Sequence, residues 1–150
     1  MSSMFAEESS AQDVGPLPRA VVVHGLADAL AALAPGVPVT LLSAPGAGSY
    51  AGAGWWRALV TMAHAAHPDT PCHDVLDCAD APGHAMAAIR AGQSILVLDP
   101  ACPAFARVAA LATVLATRPP ALDLAEHGAA RRLRTWLSGL LHDDSTPVLR

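Results

Sequence analysis

The sequence predicts an α/β protein: an open, mostly parallel sheet of about five strands with helices on both faces. Three observations carry that expectation. Short runs of valine, isoleucine and leucine recur along the chain, alanine-rich runs with helical spacing separate them, and proline or glycine marks most boundaries. Strands that are apolar on both faces and joined by helices are what a covered parallel sheet requires. Strand starts fall near Ala20, Val39, His73, Ser94 and Thr113, spacings that suit right-handed βαβ crossovers.

Taken in order, residues 20–24 (Ala-Val-Val-Val-His) read as a buried strand. Residues 25–34 read as a helix with Leu26, Leu30 and Leu33 along one face, stopped by Pro35 and Gly36. Residues 39–43 form the next strand, followed by a loop over 44–54 and a second helix from about Trp55 to His67, ended by Pro68. Residues 73–77 are the third strand. Asp80, two residues before Pro82, stands where an N-cap belongs, and the helix runs on to Gly92. Residues 94–99 are the fourth strand. A helix over about 103–111 and a short strand at 113–116 follow; Arg118, Pro119 and Pro120 break the chain, and an amphipathic helix spans roughly 122–141. Five such units favour a flavodoxin-like or Rossmann-like sheet, since a closed βα barrel needs eight. The organisation expected is one α/β domain over 19–142, between a disordered or extended arm (1–18) and a frayed tail (143–150).

Composition narrows the function classes. The chain is 53% hydrophobic and 15% charged, but much of the apolar excess is alanine, and no uninterrupted apolar run reaches the roughly 18 residues of a membrane span. The polar, acidic start has neither the basic region nor the apolar block of a signal peptide, so a cytoplasmic location and no membrane partner are expected. Net charge is -4, and all nine cationic residues are arginine. Without lysine there is no Schiff-base chemistry and no P-loop lysine. Arg131, Arg132 and Arg134 are too small a cluster for a nucleic-acid footprint. Cys72, Cys78 and Cys102 have no CxxC spacing and read as free thiols, neither a disulfide framework nor a zinc ribbon.

In an open parallel sheet, ligands bind beyond the carboxyl ends of the strands. That rule selects His24, the loop from Ser43 to Gly54, Asp77 to Asp80, Asp99 to Cys102, and Thr117 with Arg118. The candidate ligand-binding residues are therefore His24, Ser43, Gly46, Gly48, Ser49, Tyr50, Asp77, Asp80 and Asp99. The most distinctive piece is Gly46-Ala47-Gly48-Ser49-Tyr50-Ala51, which fits G-x-G-x-x-[GA] after a strand, where backbone amides could meet a phosphate. Against this, the loop is long for a dinucleotide turn, and Asp77 lies 31 residues after Gly46 where about 20 is usual. The alternative is a loop that simply packs.

Asp77, Asp80 and Asp99, with His24, could supply acid–base or metal chemistry, but the spacing Asp77-Cys78-Ala79-Asp80 matches no metal signature, and no cofactor motif is specified. Ser43 lacks the G-x-S-x-G elbow of a hydrolase nucleophile. Trp55 and Trp56 point about 100° apart on a helix, so both cannot face one core centre; packing of both at the core margins is expected, the alternative being one in the core and the other near the glycine loop or at a subunit contact. Two functions follow: a domain binding a small anionic or phosphate-bearing ligand at the carboxyl edge, or a non-catalytic domain that works by homo-oligomerisation or protein interaction.

Overall fold

The structure, a computed structural model, describes residues 15–139. The tail expected at 143–150, and the expected arm up to residue 14, lie outside the described residues. Six strands, β1 (Ala20–Val22), β2 (Val39–Leu42), β3 (Cys72–Asp77), β4 (Ile95–Val97), β5 (Thr113–Leu115) and β6 (Ala121–Asp123), form one mostly parallel sheet. Their order is β5-β4-β3-β2-β1-β6. The α/β class is as the sequence predicts, while this order is neither the 3-2-1-4-5-6 of a Rossmann sheet nor the 2-1-3-4-5 of a flavodoxin. The helices are α1 (Leu26–Leu33), α2 (Ala47–Tyr50), α3 (Ala53–Ala66), α4 (Pro82–Arg90), α5 (Phe105–Ala109) and α6 (Ala129–Leu137). None of the described helices is long and apolar enough to cross a membrane.

Contacts within the chain sort it into two compact units. The first contains Pro45–Arg57 and Val75–Arg118. Here β3, β4 and β5 pair in register, with Leu76 beside Leu96 and Leu96 beside Val114. Val75, Leu76, Leu96 and Leu98 are fully buried; β4 accordingly reads as an unbroken apolar run, whereas β3 is apolar and buried only in its second half, after His73 and Asp74. Trp56 is fully buried, whereas Trp55 is 38% exposed; the two rings lie 6.0 Å apart, so the pair divides between core and surface, and Trp55 does not pack at the core margin as expected.

The second unit contains Leu17–Ala44, Ala58–Asp74 and residues from 119 onward. β1 is its central strand, with β2 on one side and β6 on the other, Val22 lying beside both Leu42 and Asp123. Leu33 on α1, Leu41 and Leu42 on β2, and Leu133 on α6 supply the core. Trp136 anchors α6: its indole N–H donates to the Ala20 carbonyl at 2.7 Å, and the Arg19 guanidinium lies 4.5 Å from its ring centre.

Three local expectations need correction. The chain after Pro120 begins with strand β6, not with the helix expected from 122; the helix starts only after Gly128, which sits at φ 77°. Three residues are too few to show a strand period, so the signal of the following polar stretch dominated. Asp80 does not cap α4. Pro82 occupies the first helical position, Ala81 is the N-cap, and Asp80 belongs to the turn that precedes it. The glycine loop also contains a single helical turn, α2, that its glycine content concealed.

Candidate functional site

A three-times repeated piece of sequence builds the carboxyl edge. Leu76-Asp77-Cys78-Ala79 and Leu122-Asp123-Leu124-Ala125 carry β3 and β6 to their ends, and Leu98-Asp99-Pro100-Ala101 follows the end of β4. In every case the aspartate Oδ1 accepts the amide of the alanine two residues on, at 2.8 Å for Asp77 and 2.9 Å for Asp99 and Asp123. The buried leucine ends the apolar run, and the aspartate closes an Asx turn that takes the chain out of the sheet. The first two turns lie in the first unit and the third in the second.

In the first unit the Asp77 and Asp99 turns flank a cavity of about 580 Å³, lined by Ala79, Asp80, Val97, Asp99, Pro100, Ala116, Thr117 and Arg118. This is within the size range of small-molecule sites. Asp77 is 4% exposed and its second oxygen receives Arg118 Nη1 at 2.7 Å, so a nearly buried charge is paired and hydrogen-bonded. Arg118 is itself one of the residues that line the cavity. The Asp99 amide donates to the Ala79 carbonyl at 2.8 Å, locking the two turns together. Ala79 itself has φ 50°, a left-handed conformation costing a non-glycine residue about 1–2 kcal/mol. The bonds made by its own N–H and C=O hold it there.

The thiols nearby are not primed as nucleophiles. Burial, and then the Asp77 charge, push the Cys78 thiol up to about 11. Cys102 is also pushed up, by desolvation and by the Asp99 and Asp80 carboxylates, and its Sγ contacts the Asp80 carbonyl at 3.4 Å. A raised pKa lowers the thiolate fraction on which reactivity depends. All three cysteines are free. Among the described residues no three of His, Cys, Asp or Glu gather as a metal ion needs.

The glycine loop belongs to the same unit but does not line the cavity. Gly46 takes φ 72° and opens α2; Ser49 and Tyr50 donate their amides to the Gly46 carbonyl, and Ala51 and Gly52 theirs to Ala47. Four amides of the loop are therefore used within it. Gly48 is buried against Cys78, and Ser49 Oγ donates to the Cys78 carbonyl at 3.3 Å. Tyr50 is 70% exposed. Close approach by Gly48 is real, and what it approaches is the turn after β3.

His24 and Ser43 fall in the second unit. Ser43 is fully buried, with Oγ donating to the Ala44 carbonyl at 3.1 Å. His24 follows β1, and its Nε2 lies 2.7 Å from Asp123 Oδ1 at the end of β6. Its backbone N–H donates to Asp28 Oδ2 at 2.9 Å, in the first turn of α1. Of the residues selected from sequence, Asp80 and Asp99 thus line one cavity, Asp77 lies behind its wall bonded to the lining Arg118, and Gly46, Gly48 and Ser49 pack against the Asp77 turn. Asp123 was not among them, because a helix was expected at its position. The recurrent Leu-Asp-x-Ala was the signal that could have found it. No family model, no curated protein and no solved structure matches this chain.

Proposed function

We propose that the first unit binds a small polar molecule in the cavity between the Asp77 and Asp99 turns, at the carboxyl edge of the sheet. The cavity's position and size carry this reading, since parallel sheets place ligands beyond their strand ends. The wall defines the ligand's chemistry. Arg118 offers guanidinium donors to an anionic group. Asp80 and Asp99 present carboxylates, which a phosphate alone would meet as repulsion and an ammonium or a set of hydroxyls as partners. A zwitterion of amino-acid size satisfies both walls; a simple phosphate satisfies one.

The test is a thermal-shift screen of the full chain against amino acids, other amines, sugars and phosphorylated metabolites, followed by calorimetry. A ligand at 100 times its Kd stabilises the native state by about 2.7 kcal/mol. Stabilisation by amine-bearing acids is expected, together with its loss in Asp99→Asn, whose side-chain oxygen still closes the turn but lacks the charge. A flat response, or binding unchanged in both Asp99→Asn and Arg118→Met, would remove the cavity as the site.

One observation favours a second reading, self-association. Tyr50 and Trp55, five residues apart and in the same unit, are 70% and 38% exposed. Exposed aromatics are enriched at interface anchors. Light scattering over a concentration series, with Trp55→Ala as the comparison, decides between an oligomer held by this pair and a monomer.

A further inference from the structure

We propose that His24 and Asp123 form a general-base dyad that activates water toward neutral esters, separate from the cavity of the first unit. The pair sits at the carboxyl ends of two adjacent parallel strands, β1 and β6. Within the second unit β1 is the strand at which order reverses: the chain leaves it through α1 to β2 on one side, and β6, last in sequence, lies on the other. Crevices at such reversals are where parallel sheets hold their ligands.

The local geometry fixes the ring and its protonation pattern. Asp123 Oδ1 is held by the Ala125 amide, and the His24 backbone by Asp28. An ionised carboxylate only accepts, so the 2.7 Å contact requires the proton on His24 Nε2. The neutral ring then carries its lone pair on Nδ1. A carboxylate that selects one tautomer and stabilises the imidazolium formed when the other nitrogen takes a proton is the arrangement of general-base histidines. Both side chains are about one-third exposed, 37% and 33%, so a substrate can reach them.

What surrounds the dyad limits the reaction. The strand-end hydroxyl of Ser43 is buried and already donates to the Ala44 carbonyl, so the nucleophile is water. Asp28 and Asp123 make the field negative, and Glu126 at the end of the same turn is paired with Arg132 at 3.2 Å. That field turns away phosphoesters and anionic acyl groups, which leaves uncharged esters as the substrate class. In the step, His24 Nδ1 takes a proton from water as the oxygen bonds to the acyl carbon. The tetrahedral intermediate then expels the alcohol oxygen, which recovers the proton from the imidazolium. The products are one acid and one alcohol. His24 is the catalytic base and Asp123 its positioning residue.

The probe is p-nitrophenyl acetate, hydrolysed by the full chain across a pH series, with His24→Gln and Asp123→Asn as variants. The wild-type rate should exceed that of His24→Gln by roughly 10²-fold, the usual size of a general-base contribution. Asp123→Asn should lower kcat and leave KM unchanged, because the ring is no longer held with its lone pair on Nδ1. A structural role alone would not divide kcat from KM in this way. Equal rates for wild type and His24→Gln, or a folded Asp123→Asn with the wild-type kcat, would overturn the proposal. Should the variants not fold, the long-range proton–nitrogen spectrum of the wild type decides. The proton on Nε2 is expected, and the proton on Nδ1 refutes the dyad.

Discussion

A Cβ placed on Gly48 would lie 2.8 Å from the Cys78 sulfur, 3.0 Å from the Asp77 carbonyl oxygen and 3.3 Å from the Cys78 Cα. Two of these neighbours are backbone and cannot swing aside. Gly48→Ala should therefore destabilise the chain by about 1–3 kcal/mol, the ordinary cost of overpacking. Chemical denaturation measures this, and the same substitution in a Cys78→Ala background separates the two contributions. Removing the sulfur should recover only part of the loss, because the carbonyl contact persists. Full recovery would show that the sulfur alone excludes a side chain. For the same reason a bulky residue at 48 is unsuited to probing ligand affinity, since it would displace the turn bearing Asp77 before any ligand was involved.

At the scale of elements, α6 is joined to β1 through one residue. Trp136 is 3% exposed, and its N–H meets the Ala20 carbonyl. Trp136→Phe keeps most of the apolar contact and removes the donor, so it should cost about 1 kcal/mol, while Trp136→Ala should cost about 3–5 kcal/mol. Equal costs would mean that the hydrogen bond, and not the buried ring, is what docks the helix. The elements also show how far the sequence could be read. The first five strands begin within one residue of where apolar runs and turn signals put them, because β1, β2 and β4 are buried throughout and β3 is buried over its last three residues, so that apolar runs mark them; β5, half-buried, is marked by its own short apolar run. β6 was not legible: it pairs through three residues, and the polar stretch from Asp123 to His127 resembles a helix start. Losing that strand meant losing Asp123, and with it the partner of His24. Asp77, Asp80 and Asp99 were legible as an edge because the parallel topology alone brings strand ends together. The tie from Arg118 back to Asp77 crosses 41 positions and leaves no local pattern in sequence.

For the whole molecule, one buried thiol sets an alkaline limit. Cys78 titrates at about 11 when folded, against an ordinary value of 9.0. Since the folded pKa is the higher one, the contribution is fully present below pH 9 and is lost as pH rises towards 11. Unfolding free energy should thus fall with pH over that window, by up to about 1.4 kcal/mol per pH unit for the single proton released on unfolding. Cys78→Ala should flatten the slope whatever it does to absolute stability. Denaturation curves at several pH values check this, and parallel slopes for the two chains would show that the thiol is accessible to water in the folded state.

The left-handed backbone at Ala79 bears on how this sequence can drift. Alanine tolerates φ 50° there only because its N–H and C=O are both bonded, to Asp77 and Asp99. A β-branched residue would add its own steric penalty to that conformation, whereas glycine, asparagine or aspartate would relieve it. Divergent descendants of this chain should therefore vary at position 79 mainly among those four residues. Such a restricted alphabet would stand immediately beside an Asp80 that no backbone constraint protects, so variation at 80 would reflect what the cavity holds, and constancy at 79 only how the turn is made.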